Sequence, residues 1–99
     1  MGLSTHFNGS GETVVRIGER FDFSLHREFR DAYREAESGT GCYVVDLQDT
    51  DYMDSSALGM LLLLREHAGK VGSVRLVNCR PDVKRILAIA NFQRLFDIQ

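Results

Sequence analysis

The run Cys42-Tyr43-Val44-Val45-Asp46-Leu47 constrains this chain more than any other segment. It is apolar and rich in β-branched residues, with Asp46 the one interruption, as in a strand buried at the centre of a sheet. Such a strand needs partners on both edges and helices packed against the sheet. Upstream, Leu3 to Phe7 and Thr13 to Ile17 read as two strands. They are joined by Asn8-Gly9-Ser10-Gly11, whose Asn-Gly pair favours a tight antiparallel hairpin. From Ser24, a candidate N-cap, Leu25, Phe29, Ala32, Tyr33 and Ala36 recur at helical spacing, and Ser38-Gly39-Thr40-Gly41 closes that helix. Downstream, a loop from Gln48 to Met53 leads into a second helix, from Ser55 or Ser56 to Ala68, stopped by Gly69. Ser73 to Cys79 reads as a strand. Pro81 fits the first position of a third helix with the stripe Val83, Ile86, Leu87 and Ala90, and Arg94 to Ile98 reads as a last short strand.

The predicted order is β-β-α-β-α-β-α-β. It describes an α/β fold, a mixed β-sheet with helices packed against it and parallel, right-handed crossovers in its later part. At 99 residues, one domain spanning 1–99 accounts for the chain. Hydrophobic residues make up 43%, enough for a core and against intrinsic disorder. The net charge of −2 and pI near 5.9 give no general attraction to nucleic acid or anionic membranes.

The longest unbroken apolar run, Met60 to Leu64, is too short to span a bilayer, so no membrane insertion is expected. The N-terminus lacks the basic and apolar regions of a signal peptide, and His6 stands where a myristoylation motif wants Ser or Thr. A cytoplasmic location is the expectation. Cys42 and Cys79 lie far apart in apolar segments and read as free thiols. No C-x-x-C motif, close His-Cys spacing or Gly-rich phosphate loop occurs, so neither metal nor cofactor is expected.

The chemistry concentrates at Asp54-Ser55-Ser56-Ala57-Leu58-Gly59. A helix start has unpaired N–H groups and a partial positive charge, which side-chain oxygens of Asp and Ser satisfy. Asp54 or Ser55 is therefore accounted for as a cap alone. The same physics accommodates a phosphate added to a serine there. With Asp49, Asp51 and Asp54 nearby, the added charge acts on whatever docks. The helix after the serines is apolar most of the way round, so it is either deeply buried or presents a face to a partner. Gly59 weakens that helix, which close approach of another backbone explains.

These residues resemble the signature of STAS-domain anti-sigma factor antagonists, whose usual form is Asp-Ser-Ser-Gly-Leu-Gly after a strand like Val44-Val45-Asp46-Leu47. Phe21-Asp22 is similar to the family's Leu-Asp before its first helix. Pro81-Asp82-Val83-Lys84-Arg85-Ile86-Leu87 resembles its third-helix run. The resemblance implies a partner-switching regulator without enzymatic activity. Unphosphorylated, it binds an anti-sigma factor/serine protein kinase; phosphorylated on a serine, it lets go; a PP2C-type phosphatase resets it. Carried onto this chain, the acceptor is Ser55, with Ser56 the second choice. The partner-binding residues are Asp22, Asp54, Ser55, Ser56, Ala57, Leu58 and Gly59. Ala57 departs from the family's glycine. The family's last helix is short or missing before Gln99, which leaves room for a homodimer or partner contact.

Within the same fold, short STAS proteins also dock on the ATPase of bacterial lipid-transport ABC transporters, without serine phosphorylation. The paired serines favour the switch. Catalysis is disfavoured, because a serine nucleophile needs a base and an oxyanion hole and the chain has no G-x-S-x-G elbow. A receiver domain is disfavoured too, since no acidic pair comes after the first strand.

Overall fold

Alternation within the strands decides which face of the sheet holds the core. Thr13, Val15 and Ile17 point one way, and Tyr43, Val45 and Leu47 continue that face; all six are buried. In the computed structural model, residues 2–34, 41–69 and 72–99 are described. The strands are β1 (Leu3–Phe7), β2 (Glu12–Ile17), β3 (Arg20–Phe21), β4 (Cys42–Asp46), β5 (Tyr52–Met53), β6 (Ser73–Val77) and β7 (Asp97–Ile98). The helices are α1 (His26–Arg34), α2 (Ser55–Ala68) and α3 (Pro81–Ile89). Five strands form one sheet in the order β1-β2-β4-β6-β7, antiparallel only between β1 and β2. The expected mixed α/β sheet with packed helices is what the chain adopts.

Phe29 and Tyr33 of α1, Met60, Leu61 and Leu64 of α2, and Val83 and Leu87 of α3 join the inward strand residues in one core cluster. Val14 and Val44 are buried on the opposite face, outside that cluster. There Arg75 reaches from β6 across β4 to the Glu12 carboxylate on β2, at 2.9 Å. Burial alone would raise the Glu12 pKa; the hydrogen bonds from Arg75 and Asn8 and the Arg75 charge bring it below the ordinary value.

The Asn8-Gly9 hairpin forms as expected. The Asn8 side-chain oxygen accepts from the N–H groups of Ser10 and Glu12, and Gly9 takes a φ of 79° that a side chain would disfavour. Four boundaries differ from the reading of the sequence. Ser24 is not the N-cap of the first helix. Asp22 caps a 3₁₀ turn over Phe23–Leu25 that leads into α1, its carboxylate accepting from the Ser24 N–H. The strand from Ser73 ends at Val77, where Asn78 turns to a φ of 57°. Of the segment 94–98 only Asp97–Ile98 pairs; a 3₁₀ turn takes Phe92–Arg94. The loop 48–53 contains β5, which pairs in parallel with the equally short β3. Closure of the first helix at Ser38 to Thr40 lies outside the described residues.

Candidate functional site at the start of the second helix

Two strands of two residues each build this site. Pairing of Arg20 with Tyr52 and Phe21 with Met53 puts Asp22 and Asp54 at the next register position, side by side. The loop that carries β5 is tied down by Thr50, which is fully buried and donates its hydroxyl to the Gly18 carbonyl at 2.8 Å. The Asp51 and Tyr52 N–H groups both reach the Glu19 carbonyl. Each aspartate continues its strand in extended conformation and caps the helical turn after it.

Asp54 Oδ1 accepts from the Ala57 N–H at 3.1 Å and from the Ser56 hydroxyl at 2.6 Å. Asp22 Oδ1 does the same for Ser24, taking both its N–H and its hydroxyl. The Ser24 hydroxyl is the main reason the Asp22 pKa lies below the ordinary aspartate value, with the Ser24 N–H and Arg20 adding to it. Arg20 contacts Asp22 at 3.3 Å and lies over the Tyr52 ring at 4.1 Å from its centroid. The acidic surroundings are thus partly neutralised, since Arg16 also pairs with Asp49 at 3.2 Å. Asp51 has no ion pair among the described residues.

The two serines differ. The Ser55 side chain is exposed and makes no hydrogen bond among the described residues, whereas Ser56 is half-buried with its hydroxyl held by Asp54. Ala57 is fully buried in the core and Leu58 packs half-buried against it. Ala57 offers no accessible surface, whereas part of the Leu58 side chain remains exposed. Gly59 is exposed, and an added methyl there would meet nothing within 4 Å. No backbone within the described chain accounts for this glycine.

The expected burial of α2 holds in part. Ala57, Met60, Leu61, Leu64 and Ala68 are buried, but Leu62 and Leu63 are 41% and 49% exposed. Ser55, Gly59, Leu62, Leu63 and Glu66 share the outer face at helical spacing, so an apolar stripe starts at the exposed serine. Reading the sequence missed two aromatic residues beside it. Phe23 is 67% exposed, stacked on His26 at 5.2 Å, and Tyr52 is 40% exposed. Phe23 stands out of phase with the stripe of Leu25, Phe29 and Tyr33, a signal that was available.

A family model described as Mlab, STAS domain matches residues 5–97. A STAS-domain containing protein of Pseudomonas aeruginosa (strain UCBPP-PA14) is 53% identical over 88 residues, 88% of this chain and 87% of that protein. Among solved structures, an anti-sigma factor antagonist from Mycobacterium paratuberculosis aligns with a TM-score of 0.79 at 18% identity, covering 97% of this chain and 82% of that one. The anti-sigma factor antagonist SpoIIAA in its unphosphorylated form gives 0.75 at 19%, covering 98% and 86%. The Bacillus cell fate determinant SpoIIAA in the phosphorylated form gives 0.66 at 14%, covering 98% and 90%. At these identities the structures establish a shared fold. With the matched model spanning almost all of the sequence and a relative identical at half its positions, the chain belongs to the STAS-domain family.

Proposed function

We propose that this chain is an anti-sigma factor antagonist that works by partner switching. Unphosphorylated, it binds an anti-sigma factor/serine protein kinase through the start of α2. That kinase phosphorylates Ser55 and the complex dissociates; a PP2C-type phosphatase restores the binding form. The domain acts as one unit over 1–99 in the cytoplasm, with no catalysis of its own. The observation that carries this reading is the exposed, unengaged Ser55 hydroxyl at the head of the stripe Gly59, Leu62 and Leu63. Two further points support it. The dipole and first-turn N–H groups of α2 tolerate a phosphate, so the modification acts on the partner rather than on the fold. The fold neighbour SpoIIAA is known in unphosphorylated and phosphorylated forms.

In this scheme Asp22 and Asp54 hold the two turns, and Gly59 admits the partner's backbone. A titration with the partner recovered from the protein's own cells tests it. Ser55→Ala binds persistently and Ser55→Glu binds weakly; equal affinities for wild type and both variants contradict the mechanism. A second reading is a subunit docked on the ATPase of a lipid-transport ABC transporter. The exposed Leu62 and Leu63 favour it, since an apolar stripe binds a partner without any phosphate. Recovery of a transporter ATPase bound equally by all three forms would select that reading.

A further inference from the structure

Among the described residues, nothing guards the edge of the main sheet at β1. Sheet edges are normally blunted by charges, proline, a bulge or a covering element. Leu3-Ser4-Thr5-His6-Phe7 contains no Lys, Arg, Asp, Glu or Pro. Its register with β2 is regular from Leu3↔Ile17 to Phe7↔Thr13, without a bulge. The Asn8 N–H bonds the Glu12 carbonyl at one end of the ladder, and the Gly18 N–H bonds the Gly2 carbonyl at the other. In an antiparallel pair such bonds alternate, so the even-numbered residues of β1 direct their N–H and C=O groups toward β2. Leu3, Thr5 and Phe7 direct theirs outward, where no described residue meets them.

We propose that this edge pairs with a second copy of the chain, β1 against β1, antiparallel about a twofold axis at Thr5. The occupant is set by the match of the edge to itself. With Thr5 opposite Thr5 of the other copy, Leu3 falls opposite Phe7 and Phe7 opposite Leu3. Every outward N–H then meets an outward C=O, which is the isologous contact a twofold dimer requires. The side chains agree with that register. Leu3 packs on the core while Phe7, on the same face, is 59% exposed. Across the joint the two form an aromatic–aliphatic pair at each end, with the uncharged threonines between. The resulting sheet runs through both copies.

Sedimentation velocity of the full chain across a concentration series tests this, together with Thr5→Pro and Phe7→Lys. Proline at 5 removes an outward N–H and no bond to β2, so the fold is retained while the joint is broken. Wild type is expected to sediment as a dimer at micromolar concentrations. Both variants should raise the dissociation constant roughly ten-fold or more, with unchanged circular dichroism. Should Thr5→Pro lose its fold, Phe7→Lys, whose side chain is exposed, carries the test alone. A monomeric wild type at every concentration, a dimer indifferent to Phe7→Lys, or an edge occupied by a different protein would each overturn the proposal.

Discussion

Asp22-Phe23-Ser24 and Asp54-Ser55-Ser56 are the same device used twice. In each, an extended aspartate caps a helical start and takes the hydroxyl of the serine two residues on. In each, the residue between points to solvent. The β3–β5 pairing sets the two caps side by side. They differ in what the middle position presents, an aromatic ring at Phe23 and, at Ser55, a hydroxyl with no hydrogen bond among the described residues. The lesson is that aspartate and second serine are framework, and the middle residue is the variable. Of the two serines at the second helix, Ser56 answers to Ser24, and Ser55 stands where the framework needs nothing.

The largest expected effect is on binding. Ser55→Glu should weaken the proposed partner complex at least about ten-fold, because the new charge would have to be desolvated in the contact and would repel acidic groups of the partner. Affinity unchanged from wild type would mean the middle position of the second cap is not in the contact. Next, Phe23→Ala tests whether the middle position of the first cap serves the same surface. Loss of an exposed aromatic anchor should cost about 1–2 kcal/mol of partner binding, read by calorimetry, with the melting temperature unmoved. A shift in melting alone would assign Phe23 to the fold.

The framework positions should act on stability instead. Asp54→Ala leaves the Ser56 hydroxyl without its acceptor and the Ala57 N–H with the Asp54 backbone carbonyl alone, at 3.2 Å, which costs about 0.5–2 kcal/mol in thermal unfolding. Between the serines, Ser56→Ala should cost about 0.5–1.5 kcal/mol and Ser55→Ala less than about 0.5 kcal/mol. The reverse order would exchange their roles. The smallest effect concerns acid. Because the Ser24 hydroxyl and then Arg20 lower the Asp22 pKa, the stabilisation from Asp22 is complete above the ordinary aspartate range. It disappears as pH falls through the lowered value. Asp22→Asn should therefore lose part of its deficit relative to wild type as the melting buffer is taken from neutral to below about pH 4.

The long elements were legible because their periodicity is strong: the hairpin, the central strand, α2 with its Gly69 stop, and Pro81 at the head of α3. The site was legible in part. Asp54-Ser55-Ser56 reads as a cap from composition alone, yet which serine the aspartate holds is a matter of geometry. β3 and β5 escape a sequence reading because two residues carry no period, and the Thr50 anchor looks like any loop threonine between acids. Ser24 reads as a cap because its register with the apolar stripe fits. Nothing local shows that Asp22 takes both its N–H and its hydroxyl. The division of Met60 to Leu64 between core and surface depends on the sheet beneath, which an all-apolar run does not encode.

The central claim is that the unengaged hydroxyl, and not the one held by the cap, receives the phosphate. Phosphosite mass spectrometry on the protein isolated from its own cells, across several growth conditions, tests it most directly. Phosphate on Ser55 is the predicted result. Phosphate on Ser56 would contradict the assignment of roles within the cap, and phosphate on neither serine would contradict the switch itself.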